Sequence, residues 1–210
     1  MEGRYPDFAE DYLLDGQPSS GHPYRSNFSR RATLLAAGLT ATADTGYVVP
    51  VVVQQGDLIS YVTIGVKTAT SSTPTAGFAA LFTGVTTAAT LITGAASANN
   101  TSGFTSSGSA QTFTLATPYQ VGGAEGATGT SGPLVLGVMI YNNGGAGGVV
   151  DALGQGSEAV AGGVYITGQV PLLFTKASLG SLTAPPASLS GFAAATAGTA
   201  MAAVPLVILH

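Results

Sequence analysis

Two histidines, ten carboxylates and no cysteine are the stock from which this 210-residue chain could build a reactive site. Nucleophilic catalysis needs an activated Ser, Cys or Thr beside a base. Here His22 lies between Gly21 and Pro23, His210 is the final residue and is expected to be mobile, and no G-x-S-x-G elbow occurs. With the histidines at opposite ends and no thiolate, a His- or Cys-rich metal site has no ligand set. Paired carboxylates for glycoside chemistry must face each other across a sugar. Beyond the N-terminal region the chain offers Asp44, Asp57, Glu125, Asp151 and Glu158. Asp57 follows Gly56 where a strand should begin, which reads as a turn residue. Asp151 and Glu158 fall in or beside the Gly-rich stretch 142–163 and could share a Ca²⁺ ion with loop carbonyls, although no D-x-D-x-D loop is present.

Two further possibilities can be weighed on the same terms. Gly154-Gln155-Gly156-Ser157-Glu158-Ala159 fits the dinucleotide pattern G-x-G-x-x-A. That pattern works only between a strand and a helix, with an acid about 20 residues on. A poor helix former, AVAGG, follows it, and no acidic residue lies beyond Glu158, so chance in a glycine-rich chain accounts for the match. Sugar binding on a β-sandwich would use exposed aromatics and amides, for which Tyr119, Tyr141, Asn142, Asn143 and Tyr165 are candidates, though the chain has no Trp. The plainer reading places those tyrosines at strand ends with wet hydroxyls. No catalytic residue, metal ligand or cofactor is assigned.

The elements that would position such groups follow from composition and patterning. Charged residues make up 8% of the chain, against about 25% in ordinary soluble domains. The surface must therefore be largely Ser, Thr, Asn, Gly and Ala, which favours life inside an assembly. A net charge of −4 with only six Lys and Arg excludes an electrostatic nucleic-acid binder. The opening MEGRYPDFAEDYLLDG is acidic where a signal peptide is basic and then apolar, so no secretion signal is expected. The uncharged run from Phe192 to Leu209 has a bilayer-spanning length, but it is mostly Ala, Thr and Gly. Pro205 interrupts its strongest part, so it predicts a strand over Val204–Leu209 and no membrane partner.

Charge is unevenly spread: nine of the 16 charged residues lie in positions 1–31, interleaved with Tyr5, Phe8, Tyr12, Tyr24 and Phe28. This divides the chain into an N-terminal docking arm, 1–45, and a body, 46–210. Within the arm, Pro6–Leu14 predicts a short helix and Gln17–Pro23 an extended segment. An isolated arm cannot bury its own aromatics, so Tyr5, Phe8, Tyr12, Tyr24, Arg25, Phe28, Arg30 and Arg31 are the candidate partner-binding residues. The alternative is that the arm packs on its own body. The body predicts strands at Tyr47–Val53, Leu58–Lys67, Phe78–Phe82, Thr90–Ile92, Thr112–Leu115, Leu134–Tyr141, Val164–Val170, Leu172–Thr175 and Val204–Leu209. Pro50 confines the first to an edge or a break. In the second, Leu58, Ser60, Val62, Ile64 and Val66 fall on one face and Ile59, Tyr61, Thr63 and Lys67 on the other. Strands of this number and length predict an all-β fold, a two-sheet antiparallel β-sandwich of jelly-roll type with an extended N-terminal arm. The stretches 95–110 and 121–132 read as long loops.

Several of these strands carry a resemblance. Gly56-Asp57-Leu58-Ile59, Thr73-Pro74-Thr75 with Ala79-Ala80-Leu81-Phe82, and Phe113-Thr114-Leu115-Ala116-Thr117-Pro118-Tyr119 resemble motifs of small β-sandwich virion proteins of tailed phages infecting actinobacteria. The likeness covers about residues 20–175 of this chain. Where those proteins commonly have an aromatic-rich L-Y-Y-V-G strand, this chain has Leu134-Val135-Leu136-Gly137-Val138. The resemblance implies a non-enzymatic structural protein on the particle, decorating the head or belonging to the tail. A docking arm and compact body suit a capsid decoration (cement) protein slightly better. Its partners would be the major capsid protein or other virion proteins and further copies of itself, with a trimer guessed by analogy. Its location would be the virion, assembled in the host cytoplasm.

Overall fold

The computed structural model describes residues 25–26, 38–122, 134–143, 148–150, 152–154, 173–180, 182–194 and 203–210. Among them there is no helix. Fourteen strands follow in order: β1 (Arg25–Ser26), β2 (Leu39–Thr40), β3 (Thr45–Val53), β4 (Leu58–Thr68), β5 (Ala76–Phe82), β6 (Leu91–Ala96) and β7 (Ser109–Gln120). Then come β8 (Leu134–Asn143), β9 (Val149–Val150), β10 (Ala152–Gly154), β11 (Phe174–Lys176), β12 (Ala193–Ala194), β13 (Ala203–Pro205) and β14 (Val207–Leu209). The fold is all-β and every ladder is antiparallel. One sheet runs β12-β11-β3-β8-β5-β6; the other runs β1-β14-β4-β9-β2 with β7 also paired to β4. Val62 and Ile64 each pair with β14 and with β7, so these partners occupy opposite edges of β4. A small β10–β13 ladder completes the set. The jelly-roll wrapping depends on connections through 155–172 and 195–202, and the strand predicted at Val164–Val170 falls there too; all lie outside the described residues.

The two sheets stack as a β-sandwich around one apolar layer. Val49, Val51, Val53, Leu81, Leu136, Val138 and Ile140 of the first sheet meet Val62, Ile64, Val66, Phe113, Leu115, Val207 and Leu209 of the second. Period-2 alternation produces this on β7, where Phe113 and Leu115 point inward while Thr112 and Thr114 stay exposed. The first sheet does not alternate. β5 is buried at all seven positions, and β3 is buried from Thr45 through Val49. The cause is a second apolar cluster on its outer face, where Val48, Phe78, Phe82, Met139 and Tyr141 are covered by Leu189 and Phe192, with Leu179 and Leu182 against them. A sheet buried on both faces reads as a continuous apolar run. Close approach on that face also needs Gly137, since a Cβ there would overlap the carbonyl oxygen of Gly84.

Two expectations about these strands change or sharpen. Pro50 lies opposite Gly137 in the β3–β8 ladder, and the β11 ladder on β3 spans only Gly46–Val48. Among the described residues, its missing N–H therefore falls where β3 carries the β8 ladder and not the β11 ladder. On β4 a register shift between Ile59 and Tyr61 corrects the expected face assignment. Ile59 is buried with Val62, Ile64 and Val66, whereas Leu58 and Ser60 are half-buried and Tyr61 is exposed. One bulge inverts the alternation on its N-terminal side, which no period-2 count anticipates. Of the predicted long loops, 97–108 is ordered. It buries Phe104 against Phe113, with ring centroids 5.8 Å apart, and Asn99 Oδ1 accepts the Gly77 N–H at 2.8 Å. Residues 123–133 lie outside the described residues.

Candidate functional site

The candidate site is the root of the N-terminal segment. Of the residues proposed to bind a partner, Arg25 is described, whereas Tyr5, Phe8, Tyr12, Tyr24, Phe28, Arg30 and Arg31 lie outside the described residues, as does the helix expected at Pro6–Leu14. Arg25 and Ser26 pair with Leu209 and Ile208, making β1 the outermost strand of its sheet among the described residues. The Arg25 guanidinium grips the turn between β3 and β4. Its Nε donates to Asp57 Oδ2 at 2.7 Å, and its Nη2 donates to Asp57 Oδ1 at 2.9 Å and to Gln54 Oε1 at 3.0 Å. Asp57 Oδ2 also accepts the Gln54 N–H at 2.8 Å. The same turn is tied to the end of β7, because Gly56 N–H donates to Val121 O and Val121 N–H donates to Asp57 O, each at 2.8 Å.

This geometry makes Asp57 more than the turn residue its position suggests. The two side chains are 11% and 7% exposed, so the fork works largely out of water. A bidentate Arg–carboxylate pair is both directional and strong, and breaking one that is buried leaves an uncompensated charge. The guanidinium of Arg25 is thus engaged by its own body. Residues 39–41 join the body as well: Leu39 and Thr40 pair with β9, and Ala41 is in the central core.

Beside this root stands a cluster that the sequence did not single out. His210, expected to be mobile, is pinned to β4. Its N–H donates to Tyr61 O at 3.2 Å, and its main-chain oxygen accepts the N–H groups of Ser60 and Tyr61 at 2.9 and 2.7 Å. These two converging donors belong to the bulge of β4, which turns Tyr61 outward. The His210 ring stacks on Tyr61 with centroids 5.1 Å apart, and its Nε2 lies 2.9 Å from Thr63 Oγ1, itself 2.8 Å from Thr112 Oγ1. Burial pushes the imidazole pKa below its ordinary 6.5. The signal that could have located this cluster is the bulge, and nothing local in LISYVTIGVKT marks it.

The other chemical candidates resolve as follows. Tyr119, Tyr141, Asn142 and Asn143 are 7%, 0%, 3% and 5% exposed, which corrects the idea of a sugar-binding platform built on them; Tyr165 lies outside the described residues. The Tyr141 hydroxyl instead donates to Gly180 O and accepts the Leu182 N–H at 3.2 Å, fastening the cover of the outer face. Burial pushes its pKa up from 10.0, and the nearby Asp44 carboxylate pushes the same way. Asp44 adopts φ of 59° and accepts the Leu179 N–H at 2.9 Å through its carbonyl. Glu125, Asp151 and Glu158 lie outside the described residues, so the Ca²⁺ idea does as well. Among the described residues no group of three His, Cys, Asp or Glu could hold a metal, and no helix is long and apolar enough to cross a membrane. No protein-family model matches this chain, and no curated protein matches it.

Proposed function

We propose that this chain is a non-enzymatic structural protein of a tailed-phage virion, a capsid decoration protein whose N-terminal segment docks on the shell. The β-sandwich body covers the shell and associates with further copies of itself. The observation that carries this reading is the junction at Arg25. A segment with Tyr5, Phe8, Tyr12 and Tyr24 and little means of burying them alone enters the body through a paired strand and a buried ionic fork. A pull on the docked segment is therefore met along an antiparallel ladder and an ion pair, in shear, and passes into the sheet. Docking would draw its free energy from burying those aromatics, at about 25 cal/mol per Å² of apolar area before association costs.

The body's open face supports the same role. The face of β4 and β7 that points away from the core carries Tyr61, Thr63, Thr112 and Thr114, with Lys67 as its exposed charge. Such a face can pack against a neighbour without desolvating many ions.

Quantitative mass spectrometry of separated heads and tails tests the assignment. High copy number in the head fraction is expected. A few copies confined to tails would make it a tail component, and absence from both would end the virion reading. A variant tests the arm: deletion of residues 1–24, chosen to keep Arg25 with Asp57, should leave a folded body that no longer decorates particles. Full occupancy by that variant would overturn docking through the arm.

A further inference from the structure

The cover on the outer face of the first sheet has a build of its own. It leaves β11 and returns to β12, and those strands pair with each other, Phe174 opposite Ala194 and Thr175 opposite Ala193. Entry and exit therefore lie side by side, as in an Ω-loop. Lys176 closes the neck: its Nζ donates to Ser190 O at 2.8 Å and lies 5.9 Å from the ring centroid of Phe192. Among the described residues of 177–191, only Leu189 is buried; Leu179 and Leu182 are half-buried, and most of the rest are exposed.

We propose that residues 177–191 form a hinged flap, which swings off the outer face of the first sheet as one unit while the sandwich stays closed. The hinges flank the swinging part. Ser178 and Gly180 on the outgoing limb have φ of 58° and 68°, and Gly191 on the return limb has φ of 79°. Glycine turns freely there, and a few such residues beside a neck can absorb a change of direction. Ser178 carries a Cβ in the same left-handed region, so the closed form holds strain that rotation at this residue relieves. Between the hinges, Pro185 and Pro186 fix φ at successive positions and stiffen the tip.

What holds the flap down is separable from what holds the sheets together. Asp44 O accepts the Leu179 N–H at 2.9 Å, and the Tyr141 hydroxyl clasps Gly180 and Leu182. At the far end, the Leu91 N–H donates to Ala187 O at 2.9 Å and the Leu189 N–H to Ala89 O at 3.0 Å. None of these bonds belongs to the ladders that join β3, β8 and β5. Losing them with the burial of Leu189 leaves the inter-sheet core of Val49, Val138 and Phe113 untouched. Opening of this kind lies below whole-domain unfolding in free energy, because it bares far less apolar surface. The open flap uncovers an apolar strip that includes Phe78, Ala80, Phe82 and Met139. This inference rests on the fold alone and does not depend on the virion role.

The chain has no cysteine, so a single introduced thiol reports exposure without background. Ala79 and Ala80 are neighbours on β5 and both are 0% exposed, but Ala79 belongs to the inter-sheet core and Ala80 to the cluster under the flap. Labelling of full-length Ala80→Cys with DTNB under native conditions should run at least about tenfold faster than that of Ala79→Cys. Low urea should leave the first rate nearly flat and raise the second, since flap opening exposes little surface. Equal rates with equal urea dependence would mean that the flap parts only when the whole domain unfolds, and would overturn the proposal. If either variant does not fold, hydrogen exchange of the wild-type Leu179, Leu182 and Leu189 amides decides. Exchange at least about tenfold faster than in β8, with weak urea dependence, supports the flap. Protection matching that of β8 refutes it.

Discussion

Neutralising Asp57 is the sharpest probe of the arm's root. In Asp57→Asn the side chain keeps its shape but loses the charge opposite a guanidinium that is 11% exposed, and it loses one of the two acceptor oxygens at 2.7 and 2.9 Å. Removing one member of a buried ion pair costs about 3–5 kcal/mol. Here the Arg25 side chain keeps some exposure and β1 is the last strand of its sheet among the described residues, so the lower end, about 3 kcal/mol, is expected. The turn also loses strength, because Asp57 Oδ2 accepts the Gln54 N–H. For a domain of this size that loss corresponds to a Tm decrease of about 6–12 °C. Urea unfolding of Asp57→Asn, Arg25→Met and the double variant gives the pairwise term. The double variant should be less destabilised than the sum of the singles, by about 1–3 kcal/mol, since it buries no orphaned charge. A loss below about 0.5 kcal/mol for Asp57→Asn, or strict additivity, would mean that the pair behaves as an exposed surface salt bridge and that the root is not clamped.

Other consequences can be checked with purified protein. Gly137→Ala should lower stability by about 1–3 kcal/mol by thermal unfolding, because the new methyl overlaps the Gly84 carbonyl and forces β8 away from it. Tyr141→Phe should cost about 1–3 kcal/mol, leaving the Leu182 N–H and Gly180 carbonyl without their hydroxyl partner, and should raise hydrogen exchange across 179–192. Tyr141 titrates above 10.0 in the folded state, so its contribution is complete below that pH and disappears as pH rises through the folded value. Alkaline unfolding monitored by tyrosinate absorbance should accordingly be shallower in Tyr141→Phe. Phe113→Ala, which empties the centre of the inter-sheet core, should cost about 3–5 kcal/mol in urea titrations.

Much of the body was legible in the chain. Strands β3, β5, β7 and β8 fall on the apolar runs expected of them, because burial on a pleated surface imposes a two-residue period or, with both faces covered, an unbroken run. Less was legible at the candidate site. The stretch APPASLSG reads as a plain loop, yet its neighbourhood supplies Leu189 and Phe192 to cover the outer face of the first sheet. Tyr141, weighed as a sugar ligand with a wet hydroxyl, is buried under that same cover.

Local patterning alone thus determined that the chain is all-β, where most strands lie, and that its charge is concentrated ahead of the body. Those properties depend on neighbours within a few residues, where pleat, turn chemistry and composition act directly. Tertiary structure decided the rest. Arg25 meets Asp57 across 32 positions and His210 meets Thr63 across 147, and each pairing exists only because β14 enters between β1 and β4. The bulge in β4 then decides which side chains face outward there. Pairing and register are chosen by the burial of whole faces against each other, a sum over residues distant in the chain that no window of sequence contains.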